Sequence, residues 1–165
     1  MNYQTNNYRQ NRRSIAFVDA EVVKNQNFIA NLNLETELIV IDSNRDGIKQ
    51  ITEILAERRN IKSLQIITTA KGNEDSINLG LTQLNIHTIE AYIDDLQQWK
   101  NALSATPEIM LYGCLVLVES IFQNFIHQLA KITEADIGAF VTFPDNVTAN
   151  NQEIDPYSLM VAWRL

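Results

Sequence analysis

The chain has 165 residues, enough for one domain with a sizeable core and too few for two domains of ordinary size. Hydrophobic residues make up 45% of the sequence, which predicts a globular fold rather than a disordered chain. Its 20 acidic and 13 basic residues give a formal charge of -7, which argues against binding to nucleic acid or to anionic membrane surfaces. The sequence has no apolar run of membrane-spanning length, so membrane insertion is not expected.

The first 13 residues form a polar stretch that is rich in Asn and Gln and contains Arg9, Arg12 and Arg13. Its composition predicts a flexible polar arm over residues 1–13 and a single domain over residues 14–165. The alternative is an arm that docks on an acidic partner. Cys114 is the single cysteine and cannot form an internal disulfide. Composition therefore favours a reducing, cytoplasmic location without excluding export.

After the arm, short β-branched runs alternate with longer helical patterns. This alternation predicts an α/β domain with a mostly parallel sheet flanked by helices. The predicted strands cover residues 14–19, 37–42, 63–69, 108–113, 136–141 and 159–165. Residues 76–80 are a further short extended piece, interpreted as a hairpin arm. The predicted helices cover residues 47–59, 86–103 and 116–132, and Thr106 and Pro107 are expected to separate the second of these from the next strand.

Two of the predicted strand ends carry the residues of interest for function. Thr68, Thr69 and Ala70 end the third long strand, and Gly113 and Cys114 follow the fourth. In open parallel sheets, functional groups gather at the carboxyl ends of the strands. A strand followed by Gly-Cys and then a helix places the sulfur near a helix N-terminus, where the dipole favours a thiolate.

Several segments together resemble a known bacterial family, the domain of unknown function four-three-four-seven, a relative of the caspase-like cysteine peptidases. The resemblance runs from about residue 15 to residue 163. The segments that carry it are AFVD at 16–19, DSNRDGIKQI at 42–51, INLG at 77–80, LQQW at 96–99, LYGC at 111–114, QLAKITEADI at 128–137 and the terminal Trp163.

The resemblance implies a caspase-like, Rossmann-like three-layer sandwich and a particular pair of catalytic positions. In the family the third strand ends in Ser-His-Gly and the fourth in Tyr-Gly-Cys, and caspase-like relatives use that His as base and that Cys as nucleophile. Cys114 matches the nucleophile, whereas Thr68, Thr69 and Ala70 occupy the positions of Ser-His-Gly. Threonine cannot accept a proton near neutral pH, so the resemblance implies a degenerate site. His87 and His127 are interpreted as ordinary surface or capping residues.

A loop after the second strand fits the calcium-loop pattern weakly, through Asp42, Asn44, Asp46 and Glu53. The loop follows a strand rather than a helix, and Glu53 falls inside the predicted helix. We therefore interpret the segment as a turn and helix cap, with Asp46 or Ser43 accepting the first amides of the helix. No metal is expected. No glycine-rich motif follows the first strand, so no dinucleotide or other cofactor is expected either.

These observations predict a non-catalytic, caspase-like domain that acts as a protein-binding or assembly module. The expected partner is another protein or a further copy of the chain. The resemblance implies a place in long, exported, adhesin-like or calcium-binding-repeat proteins, and hence at the cell surface or in a filament. The alternatives are a cysteine peptidase or autoprocessing domain that uses Cys114, and a calcium-stabilised structural domain.

Overall fold

The computed structural model describes residues 13–24, 35–68, 76–113, 120–140 and 161–163. Its strands are β1 (Ser14–Asp19), β2 (Thr36–Ile41), β3 (Ile61–Ile67), β4 (Ile77–Leu79), β5 (Thr82–Leu84), β6 (Leu103–Tyr112), β7 (Asp136–Phe140) and β8 (Val161–Trp163). Its α-helices are α1 (Ala20–Val23), α2 (Gly47–Leu55), α3 (Ile93–Gln98) and α4 (Ser120–Thr133). The predicted arm over residues 1–13 lies, except for Arg13, outside the described residues.

The main sheet has the strand order β2-β1-β3-β6-β7-β8. The first five of these strands pair in parallel, and β8 joins the far edge antiparallel to β7. Parallel neighbours need crossover connections, which here contain helices. The predicted α/β class, with a mostly parallel sheet flanked by helices, is confirmed.

The strands direct alternate side chains into two layers of core. Ile15 and Phe17 of β1 belong to the larger cluster, which also contains buried residues of α2, α3 and α4. Ala16 and Val18 belong to a smaller cluster with Val22 of α1 on the opposite face. The sheet is thus the middle layer of three.

The predicted helix over residues 86–103 is wrong in extent. A turn follows β5, in which the Asn85 side chain accepts hydrogen bonds from the backbone nitrogens of His87 at 2.9 Å and Thr88 at 3.1 Å. Such local side-chain bonds compete with helix formation. The chain then forms a 3₁₀ turn, the short α3 and a second 3₁₀ turn before β6 begins.

Thr106 and Pro107 do not separate a helix from a strand, because they lie inside β6. The pairing of β3 with β6 shifts between Ile61, opposite Leu103, and Ser63, opposite Glu108. The shift makes a bulge in β6, and bulges are among the few sheet positions that tolerate proline.

The predicted helix over residues 47–59 ends earlier, at Leu55. The backbone nitrogen of Arg58 bonds to the carbonyl of Leu55 at 2.9 Å, which tightens the last turn. Asn60 then adopts a φ of 58°, the left-handed conformation in which the chain reverses into β3. Among the described residues, no helix has the length and apolar character needed to cross a membrane.

Candidate functional site at the strand ends

The sheet register sets three residues side by side at the carboxyl ends of its central strands. Val18 of β1 is level with Ile67 of β3, which is level with Tyr112 of β6. The next residues, Asp19, Thr68 and Gly113, therefore follow each other across the sheet edge. The backbone nitrogen of Thr68 bonds to the carbonyl of Tyr112 at 3.1 Å, which extends the ladder to this point.

This row is the place where the sequence predicted the candidate site. It brings Thr68 next to Gly113, so the two predicted strand ends do meet. Cys114, Thr69 and Ala70 directly follow Gly113 and Thr68 in the chain and lie outside the described residues.

The side chain of Thr68 contributes to the packing of the fold. Its side chain is 1% exposed, and its hydroxyl donates a hydrogen bond to the carbonyl of Asn78 in β4. The hydroxyl thus ties the end of β3 to the hairpin formed by β4 and β5. It is held in the interior and does not face solvent.

Asp19 is a buried carboxylate that was not among the predicted site residues. It is 6% exposed and is the N-cap of α1, accepting from the backbone nitrogen of Glu21 at 2.9 Å. Its other carboxylate oxygen accepts from the backbone nitrogen of Gly80 at 3.2 Å. The sequence contains a signal for the capping role of Asp19, since an Asp between a strand and a helix is a typical N-cap. The Gly80 contact had no sequence signal.

The β4–β5 hairpin packs tightly against the loop that joins β2 to α2. Gly80 pairs with Asp46 in an isolated bridge, and Leu81 donates a backbone hydrogen bond to Arg45 at 2.9 Å. A Cβ atom at Gly80 would lie 2.3 Å from the carbonyl oxygen of Arg45. One at Gly47 would lie 2.4 Å from the carbonyl oxygen of Leu79. Both glycines therefore permit a close backbone approach that a side chain would prevent.

Gly113 is buried and has a φ of 83°, a conformation that favours glycine. Tyr112, the residue before it, lies in a partly buried position, and burial raises the pKa of its hydroxyl.

Both histidines of the chain are described, and neither follows a strand of the main sheet. His87 is exposed in the turn after β5, and His127 is exposed on α4. The predicted surface location of both residues is confirmed.

The carboxylates that fit the calcium-loop pattern bond to protein groups in the structure. Glu53 binds the guanidinium of Arg45 through both carboxylate oxygens, at 2.8 and 3.1 Å. Asp42 accepts a hydrogen bond from the backbone nitrogen of Asn44 at 2.9 Å. Within the described part of the chain, no cluster of three or more His, Cys, Asp or Glu side chains is placed to hold a metal ion.

Asp46 is the N-cap of α2, as the turn interpretation predicted, and it accepts from the backbone nitrogen of Lys49 at 3.0 Å. Its second oxygen accepts from the hydroxyl of Tyr92 at 2.8 Å. Partial burial opposes ionisation, but the hydrogen bonds from Lys49, Thr82, Tyr92 and Ile48 outweigh it. The pKa of Asp46 therefore lies below its usual value. The pKa of the Tyr92 hydroxyl shifts in the opposite direction, because burial and the neighbouring Asp46 both raise it.

Fold and site together define an α/β domain in which a hairpin packs over the carboxyl ends of the central strands. The chain belongs to the family described as domain of unknown function (DUF4347), whose profile matches residues 15–152. No curated protein and no solved structure matches the chain.

Proposed function

We propose that this domain is a non-catalytic protein-binding or assembly module built on a caspase-like scaffold. The observation that carries the proposal is the burial and hydrogen bonding of the strand-end row, which consists of Asp19, Thr68 and Gly113. Thr68 is 1% exposed and Asp19 is 6% exposed, and each bonds to the β4–β5 hairpin. These polar groups hold the fold together and are not presented to a substrate.

The residue types at the predicted catalytic positions support the same proposal. The resemblance puts a general base where this chain has Thr69, and a threonine hydroxyl does not accept a proton near neutral pH. The two histidines that could replace it, His87 and His127, are exposed on other elements. Without a base, Cys114 lacks the partner that activates a thiol in cysteine peptidases.

A cysteine peptidase or autoprocessing domain is the second candidate, and one observation favours it. Gly113 turns the chain with a φ of 83° directly before Cys114, at the end of a central strand. In α/β-hydrolases, a strained backbone conformation at a strand end exposes the nucleophile at the sheet edge.

The full chain and its Cys114→Ala variant separate the two candidates. Both proteins are incubated with fluorogenic peptides that carry Arg, Lys or Asp before the scissile bond. Mass spectrometry of the chain itself tests for self-cleavage. We expect equal background signal from the two proteins and an intact chain. Turnover or self-cleavage that disappears in Cys114→Ala would establish the enzyme instead.

A further inference from the structure

A groove of about 810 Å³ lies along β2, away from the strand-end row. Among the described strands β2 is the outermost on its side of the sheet, and it pairs only with β1. A parallel strand directs alternate backbone groups to each of its two sides. Along residues 38–41, the outer side of β2 therefore directs N–H and C=O groups away from β1, where an added strand can bond to them.

The side chains of β2 make this edge apolar on both faces. Leu38 packs partly on the small cluster with α1, and Val40 is 47% exposed beside it. Ile39 faces the other way and packs on the larger cluster, near Ile54 of α2. Edge strands are usually protected by charged side chains on the strand, by proline or by bulges. The Leu38–Ile41 run has no charged residue and no proline.

Carboxylates lie along the α2 side of the groove. Its lining contains Glu37, Glu53 and Glu57 but only one basic residue, Arg58. Arg58 is occupied by Glu37, which it binds at 2.8 and 3.1 Å in a pair whose side chains are 13% and 11% exposed. The side chain of Glu57 is 82% exposed, and its contact to Arg58 is long, at 3.9 Å. Glu53 is likewise bound by Arg45, at 2.8 and 3.1 Å, so the exposed negative charge of the rim lies at Glu57, on a chain with a net charge of -7.

We infer that the β2 edge binds an extended, basic segment of a partner protein by strand addition. Alternate side chains of an added strand point to opposite faces. On the α2 face, Lys or Arg would lay its aliphatic stem on Ile54 and direct its charge to Glu57. On the other face, β-branched apolar residues would cover Leu38 and Val40. The partner segment is therefore one in which basic and β-branched residues alternate.

Charge also argues against a second copy of the chain as the partner that binds at the β2 edge. Two-fold pairing of β2 with β2 would bring two chains of net charge -7 together at this edge, and like charges across an interface oppose association. This inference rests on the proposed binding function and names the class of segment that is bound.

The test uses the full chain and a fluorescent peptide, acetyl-Arg-Val-Arg-Val-Arg-Val-amide, followed by anisotropy. One control peptide has the same residues with the three Arg contiguous, and another has methyl groups on alternate backbone nitrogens. We expect the alternating peptide to bind and N-methylation to abolish binding, because a methylated nitrogen cannot donate to a strand. Hydrogen exchange at residues 38–41 should slow when the peptide is bound.

The protein variants separate the groove from general attraction to an acidic chain. Glu57→Lys should weaken binding about five- to tenfold, because it reverses the most exposed charge of the rim. Glu90→Lys makes the same change in net charge at another exposed position and should alter binding by less than about twofold. Equal loss in the two variants, or equal binding of all three peptides, would overturn the inference.

Two further outcomes would also decide the question. Self-association that is lost in Val40→Lys, with no peptide binding, would make a second copy the occupant and overturn the inference. Mass spectrometry of the same mixtures would detect peptide cleavage. Cleavage that depends on Cys114 would contradict the proposed non-catalytic function, whereas absence of binding without cleavage would contradict only the assignment of the basic segment.

Discussion

The carboxylate of Asp19 accepts a hydrogen bond from the backbone nitrogen of Gly80 at 3.2 Å, across 61 residues of sequence. This bond joins the end of β1 to the turn between β4 and β5. Together with the bond from Thr68 to Asn78, it holds the hairpin against the strand-end row. The position of the hairpin therefore depends on two buried polar side chains, Asp19 and Thr68, that lie at the carboxyl ends of neighbouring strands.

Replacing Asp19 by Ala should lower the free energy of unfolding by about 1–3 kcal/mol, because it leaves the backbone nitrogens of Glu21 and Gly80 without their acceptor. Denaturant titration of the full chain measures the change. Glu90→Ala is the matched control, since Glu90 is exposed, and its effect should stay within about 0.5 kcal/mol. Equal effects of the two substitutions would show that the Asp19 contacts contribute little.

Gly80→Ala should destabilise the fold by at least about 2 kcal/mol, since Gly80 has a φ of 57° and its Cβ would overlap the carbonyl oxygen of Arg45. Thermal and denaturant unfolding provide the measurement. Leu81→Ala is the control at the neighbouring position, because the Leu81 side chain is 72% exposed and should contribute little. A fully stable Gly80→Ala protein would mean that the hairpin and the Arg45 loop can separate at little cost.

The Asp46 cap predicts a specific pH dependence. Since the pKa of Asp46 is lowered in the folded state, its ionised form stabilises the fold at pH values above the unfolded pKa, about 3.9. This contribution is lost as the pH falls below that value and through the lowered folded pKa. Asp46→Asn should therefore reduce stability near pH 6 and flatten its decline between about pH 5 and pH 3. Parallel curves for the two proteins would contradict the prediction.

The Glu37–Arg58 pair should show strong coupling, because its side chains are largely buried and bond in a bidentate manner. A double-mutant cycle with Glu37→Gln and Arg58→Met should give a coupling energy of about 1–3 kcal/mol. The pair Glu21–Lys24 is a suitable control, since its side chains are 44% and 71% exposed. Its coupling should be about 0–0.5 kcal/mol and should decrease with salt.

Calcium should leave the melting temperature unchanged to within about 1 °C, because Glu53 is bound to Arg45 and Asp46 caps α2. The comparison is thermal unfolding of the full chain with millimolar Ca²⁺ and with a chelator. A rise in melting temperature that disappears in Glu53→Gln would instead support the calcium-stabilised alternative.

Local patterns were sufficient for much of the fold. The β-branched run of β1 and the Asp46 cap of α2 were both readable, because each depends on a few consecutive residues. The helix predicted over residues 86–103 was wrong in extent, because Asn85 and Thr88 form their own hydrogen-bonded turn. The strand around Pro107 was missed because its pairing with β3 supplies a bulge that propensity does not reveal.

The sequence by itself determined the α/β class, the family and the residue types at the predicted catalytic positions. Only the tertiary structure decided that Asp19, Thr68 and Gly113 form one row and that the β4–β5 hairpin is bonded to it. It also decided that β2 is an outer strand with an acidic groove. The physical reason is the separation of the interacting residues along the chain. Helix and strand preferences arise between near neighbours, whereas strand order and backbone contacts join residues that are far apart in the sequence.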